Sequence, residues 1–230
     1  NMQYSFKAKA RNYYGVETAE TILTSTYTWA AVPSTATPIF TEVNLSSLTV
    51  NWTPNGNPAG TTYYIQISSA SDFAFVVSAS STTSYTASFA GLLADTTYYV
   101  RARAVNALNL PTDFAALGST STLSAQVLGA QVTGVYLSSM TVVWSTVACQ
   151  GYVLELSSTN FSSGVIYSSS TLSPLPSTLT VSGLWSNTTY YARVGAYNWN
   201  YVPNFASGGS SSTLSAQVMG AQTANVFISS

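Results

Sequence analysis

The sequence repeats itself over a long period, and that repeat constrains the fold more than any other feature. Leu92 to Asn106 reads LLADTTYYVRARAVN, and 92 residues later Leu184 to Asn198 reads LWSNTTYYARVGAYN. Leu45 to Trp52 (LSSLTVNW) returns at the same distance as Leu137 to Trp144 (LSSMTVVW), and STLSAQVLGAQ from Ser121 returns as STLSAQVMGAQ from Ser212. A period this long, with alternating apolar residues inside it, points to an array of domains. Two complete repeats are expected, over 32–123 and 124–214. Residues 1–31, where NMQYSFKAKARN resembles the second half of the Leu92 segment, read as the C-terminal part of another repeat. Residues 215–230, where NVFISS from Asn225 echoes the approach to Trp144, read as the first strand or strands of a further one. A couple of strands is at best marginally stable alone. The ragged ends therefore read as an excerpt of a longer repeat polypeptide, with completion by strands of a neighbouring molecule as the alternative.

Within each repeat apolar residues alternate, the mark of strands with one face on a core. Tyr98, Val100, Ala102 and Ala104 share one face, as do Tyr190, Ala192, Val194 and Ala196. Leu48, Val50 and Trp52 match Met140, Val142 and Trp144; Tyr63, Ile65 and Ile67 match Tyr152, Leu154 and Leu156. Clusters such as TPNGNPAG from Thr53 supply the turns. Many short strands with regular turns and no helical period predict an all-β, immunoglobulin-like sandwich in each repeat.

Both complete repeats resemble fibronectin type III domains. The resemblance rests on a Trp closing the second strand (Trp52, Trp144), a Gly-Leu before a turn (Gly91-Leu92, Gly183-Leu184), and T-x-Y opening a strand that carries alternating Arg and ends in Asn. It implies tandem fibronectin type III-like sandwiches in which Tyr98 and Tyr190 form tyrosine corners, each hydroxyl bonding back to the preceding turn. It places Trp52, Trp144, Leu92, Leu184, Tyr98 and Tyr190 in the structural core. The proline usual in that turn is replaced by Ala94 and Ser186. The family includes spacers, adhesion modules and scaffold units, so function has to come from surfaces.

The inventory of reactive groups argues against catalysis. Without histidine a Ser-His-Asp triad cannot form, and of the seven carboxylates only Glu17 and Glu20 lie close in sequence. A single cysteine, Cys149, cannot make an internal disulfide and reads as a buried apolar residue. No metal, calcium or phosphate-binding pattern is present, so no cofactor is expected. Charged residues are only 6% of the chain and the net charge is −1. Such a chain has no field to attract nucleic acid, and low charge favours self-association. No apolar run is long enough to insert in a membrane as a helix.

The six basic residues, Lys7, Lys9, Arg11, Arg101, Arg103 and Arg193, read as lying on the outward face of one strand in successive repeats. With the outward Tyr64, Tyr99, Tyr191 and Tyr197, and with Glu155 paired to Arg193, they form a candidate contact face. Trp199 and Tyr201 are candidate loop contacts. The function expected is that of a non-catalytic structural repeat protein of an extracellular or cell-surface setting, bacterial in style. It would build a filament, sheath or surface array from copies of itself. The alternatives are an adhesin arm that binds glycan or another surface protein, and a spacer within a large secreted enzyme.

Overall fold

The computed structural model describes residues 1–217 and 219–220, and among them there is no helix. The chain divides into two compact units with the boundary between Leu123 and Ser124. Asn225 to Ser230, the expected start of a further repeat, lies outside the described residues.

The first unit opens with a hairpin of β1 (Gln3–Ala8) and β2 (Thr21–Tyr27), followed by a seven-stranded sandwich. Its strands are β3 (Ser34–Thr41), β4 (Ser47–Thr53), β5 (Thr62–Ser68), β6 (Val76–Thr82), β7 (Thr86–Ala90), β8 (Thr97–Val105) and β9 (Ala115–Ser121). They form a three-stranded sheet ordered β3-β4-β7 and a four-stranded sheet ordered β6-β5-β8-β9. The second unit holds β10 (Leu128–Val135), β11 (Ser139–Ser145), β12 (Tyr152–Ser157), β13 (Ile166–Thr171), β14 (Thr178–Ser182), β15 (Thr189–Tyr197) and β16 (Pro203–Ser212). The order recurs as β10-β11-β14 and β13-β12-β15-β16, with every pairing antiparallel.

Period-two alternation puts one face of each strand on the core between the sheets. Leu48, Val50 and Trp52 of β4 meet Tyr63, Ile65 and Ile67 of β5 and Tyr98, Val100, Ala102 and Ala104 of β8. Met140, Val142, Trp144, Tyr152, Leu154, Leu156, Tyr190, Ala192, Val194 and Ala196 do the same in the second sandwich. The ring centroids of Trp52 and Tyr63 lie 5.8 Å apart, and those of Trp144 and Tyr152 lie 5.2 Å apart. Cys149 is a buried free thiol beside Gly151 O.

The turn before β8 and its counterpart before β15 are closed by side chains. The Tyr98 hydroxyl accepts from Leu93 N at 2.9 Å, and that of Tyr190 accepts from Trp185 N at 3.1 Å. From the other side Thr122 Oγ1 donates to Leu93 O and Thr213 Oγ1 to Trp185 O, each at 2.6 Å. These carbonyls and amides have no ladder partner, so the hydroxyls satisfy what the turn would otherwise strand. Leu92 and Leu184 seal the core beneath the same turns.

Three asparagines close the hairpins that follow. Asn106 Oδ1 accepts from Leu108 N and Leu110 N, Asn198 Oδ1 from Asn200 N and Val202 N, and Asn12 Oδ1 from Tyr14 N and Val16 N. Each is an Asx turn in which one carboxamide replaces backbone acceptors. A register shift also recurs at matching points of β1-β2, β8-β9 and β15-β16. The amino-terminal hairpin thus repeats the geometry of β8-β9, but no opposing sheet covers it among the described residues. Tyr4, Phe6 and Leu23 are each about half exposed, at 51%, 49% and 50%, where their counterparts Tyr98, Val100 and Leu117 are buried.

The regular pairing of β1 ends at Ala8, but the hairpin runs on to an antiparallel bridge between Arg11 and Glu17, beyond which the Asn12 turn closes it. Lys9 and Arg11 make exposed ion pairs, Lys9 to Glu17 at 2.8 Å and Arg11 to Glu17 at 3.5 Å, beside Lys7 to Glu20 at 2.9 Å. Pairs this exposed contribute at most about 1 kcal/mol each.

Candidate contact face

The outward face of each four-stranded sheet carries the arginines. Glu155 on β12 sits directly opposite Arg193 on β15. Arg193 Nε donates to Glu155 Oε2 at 2.8 Å and Nη2 reaches the same oxygen at 2.6 Å. The guanidinium lies between two rings, 4.0 Å from the centroid of Phe161 and 4.0 Å from that of Phe205. The first sandwich repeats the arrangement with an amide in place of the acid. Arg101 Nε donates to Gln66 Oε1 at 2.8 Å, and its guanidinium lies 4.1 Å from Phe73 and 4.2 Å from Phe114.

The bracket is built from loop and strand together. Phe73 and Phe161 follow β5 and β12 and both adopt left-handed backbone, with φ of 59° and 61°. That conformation costs about 1–2 kcal/mol for a bulky residue. In the second sandwich it is held by the buried Ser157, whose Oγ accepts from Phe161 N at 3.0 Å. In the first, the buried Ser68 takes the anchoring role by donating to Phe75 O at 2.7 Å and accepting from Ala70 N. Two ring faces on one cation return on the order of 1–2 kcal/mol, offsetting the strain. Phe205 comes from β16, opposite Gly195. A Cβ on Gly195 would stand 2.7 Å from Pro203 Cβ and 3.0 Å from the Phe205 ring, so a side chain there would have to shift one or both. The first sandwich has Arg103 at this point, laid 4.7 Å from Phe114 and 5.1 Å from Tyr64.

Several side chains of the face are engaged within their own sandwich. Arg101, Arg103 and Arg193 are half-buried and turn their flat faces to rings of their own sandwich, because a guanidinium is weakly hydrated and stacks readily. Tyr64 leans on Phe114, with centroids 6.3 Å apart, and Tyr99 is half-buried. Tyr197 packs edge-on to Tyr201, and burial, then the charge of Glu155, raises its hydroxyl pKa. Tyr191 is the most open of these tyrosines, at 37% exposure. It lines a depression of about 440 Å³ with Asn160, Phe161, Arg193, Phe205 and Ser207. Trp199 and Tyr201 project from the Asn198 turn, 58% and 60% exposed.

Sequence reasoning missed Phe73 and Phe161. The available signal was an F at matching places after the Ser-Ser that ends β5 and β12, in an otherwise Ser-rich loop. Among the described residues no three His, Cys, Asp or Glu side chains come together, and no helix is long and apolar enough to cross a membrane. The most perturbed titrating group is structural: burial pushes the Tyr152 hydroxyl up to about 12. That hydroxyl accepts from Val147 N and donates to Val147 O.

Paired three- and four-stranded antiparallel sheets, closed by a tyrosine corner, define an immunoglobulin-like β-sandwich module. Residues 32–112 match the model of the fibronectin type III domain family. That segment is a fibronectin type III domain, and the second sandwich, with the same strand order and the same corner, stands in tandem with it. No curated protein matches the sequence. Among solved structures, a two-domain fibronectin type III segment of chicken tenascin covers 80% of this chain and 100% of its own, at 13% identity and a TM-score of 0.43. The FN1–FN3 domains of chicken CNTN1 cover 93% of this chain and 76% of their own, at 16% identity and a TM-score of 0.41. The FN5 domain of Drosophila Lar covers 41% of this chain and 100% of its own, at 16% identity and a TM-score of 0.35. Fibronectin type III domains are non-catalytic modules, typical of extracellular structural and adhesion proteins.

Proposed function

We propose that this chain is a non-catalytic building unit of an extracellular filament, sheath or surface array, and that its main partners are other copies of itself. One observation carries the reading. The sequence has no charged residue between Asp72 and Asp95, and none between Glu155 and Arg193. These spans contain β6 with β7, and β13 with β14, so the strands on one side of each sandwich carry no charged residue. A soluble monomer keeps such a surface charged to stay apart from its neighbours, whereas a packing unit benefits from removing that repulsion. The net charge of −1 agrees. Electron microscopy of native material is expected to show ordered fibres or lattices; a protein that stays dispersed at every concentration refutes the proposal.

The depression beside Tyr191 and the exposed Trp199 support a second reading, an adhesin arm with a glycan ligand. Exposed aromatic rings beside Asn and Ser side chains suit a sugar's apolar face and its hydroxyls. Glycan-array binding that is lost on Trp199→Ala or Tyr191→Ala would favour this reading. A chain that neither associates nor binds glycan would be a spacer module.

A further inference from the structure

We infer that the outer edges of β13 and β6 are the sites through which copies of this chain join, by adding strand to strand across a two-fold axis. The inference rests on the packing role proposed above and names the surface that performs it. In each four-stranded sheet one outer strand is β9 or β16, alongside β3 or β10 of the facing sheet, and the other is β6 or β13, alongside β7 or β14. Among the described residues the far side of β6 and of β13 has no strand partner in its sheet. An edge strand presents a row of backbone donors and acceptors, a template for another chain. Native sandwiches blunt such edges with lysine, proline, inward charge or a bulge.

Along β6 and β13 these devices are absent, apart from a register shift at the start of β6. β6 reads VVSASST and β13 reads IYSSST, with no charge and no proline. β13 pairs with β12 in unbroken register from Tyr152↔Thr171 to Ser157↔Ile166, so the edge is regular along its whole length. In β6 the only shift falls at its first residues, opposite Ile67 and Ser68. Exposed apolar side chains extend both edges: Phe75, Val76 and Val77 in the first sandwich, Val165 and Ile166 in the second.

The occupant that fits is the same edge of a second copy. Antiparallel pairing of a strand with its own copy is self-complementary and closes a two-fold interface. It would set Ser and Thr opposite Ser and Thr, a pairing the protein already uses between its own strands. Thr141 and Thr180 hydroxyls meet at 2.8 Å, Thr49 and Ser88 at 2.9 Å, and Thr189 and Ser212 at 2.7 Å. An acidic or basic peptide would find no countercharge on these strands. Because the edge recurs in both sandwiches, one chain offers two joints, as extension beyond a dimer requires.

The test uses the full chain. Ser81 and Ser170 are exposed and stand opposite Tyr64 and Val153 on the neighbouring strand, so their side chains point away from the core. Ser81→Lys with Ser170→Lys is expected to weaken self-association by at least tenfold in sedimentation, with an unchanged circular dichroism spectrum and melting temperature. Mixing this variant with Ser81→Glu/Ser170→Glu is expected to restore association. Independently, hydrogen exchange on the unmodified chain should show β6 and β13 amides becoming protected as concentration rises. Assemblies that persist in the lysine variant, with β6 and β13 amides still exchanging freely, overturn the edge assignment and leave the packing role standing. A chain that stays monomeric at all concentrations overturns both.

Discussion

Replacing Arg193 by Met tests the bracket most directly, because methionine keeps an apolar stem of similar length between Phe161 and Phe205 while removing the cation. Each ring stands 4.0 Å from the guanidinium, which is 30% exposed. At that intermediate desolvation one cation–π contact is worth about 1 kcal/mol, and two about 2 kcal/mol. The bond to Glu155 adds about 1 kcal/mol, since the acid is itself mostly buried and would be left without its partner. The expected loss is thus about 2–4 kcal/mol, a large part of the ~5–15 kcal/mol that holds a typical domain. Native-state hydrogen exchange at β12 and β15 amides reads the second sandwich separately from the first. Double-mutant cycles with Phe161→Ala and Phe205→Ala should each return a coupling of about 0.5–1 kcal/mol. Glu155→Gln, which recreates the Gln66–Arg101 pair of the first sandwich, should lose about 1 kcal/mol or less and remove the salt dependence of the pair. A loss below about 0.5 kcal/mol for Arg193→Met, or couplings of zero, would refute the claim that the rings hold the cation.

Trp52→Ala or Trp144→Ala should each cost its own sandwich about 3–5 kcal/mol, measured by urea melting, because each indole fills the space against a buried tyrosine. Tyr190→Phe keeps the ring but leaves Trp185 N without an acceptor, so about 1–3 kcal/mol should disappear from the second sandwich, read by the same exchange measurement. Tyr152 ionises less readily in the folded state than its ordinary value of 10, reaching about 12. Its contribution to stability is complete below about pH 10 and declines as pH rises toward about 12. Urea midpoints taken across that window should fall, and Tyr152→Phe should flatten the slope.

Much of the fold was legible because strand periodicity is a local signal. Tyr98, Val100, Ala102 and Ala104 alternate in sequence and are buried in alternation, and the Trp and Tyr landmarks fix which sheet each strand joins. The contact face was less legible. Alternation places Arg101 and Arg193 outward but cannot say what lies on top of them. That depends on loops after β5 and β12 turning a phenylalanine back through left-handed backbone, which a buried serine arranges and no period announces.

The uncharged sides of the sandwiches bear on how a material made from this chain would behave. Below the range where tyrosines ionise, nothing from 73 to 94 or from 156 to 192 can gain or lose a proton. A joint made there contains no ion pair for brine to screen and no carboxylate for acid to neutralise. Such a coat would keep its cohesion through swings of acidity and salinity that dissolve charge-stitched assemblies, and would yield instead to agents that compete for backbone hydrogen bonds.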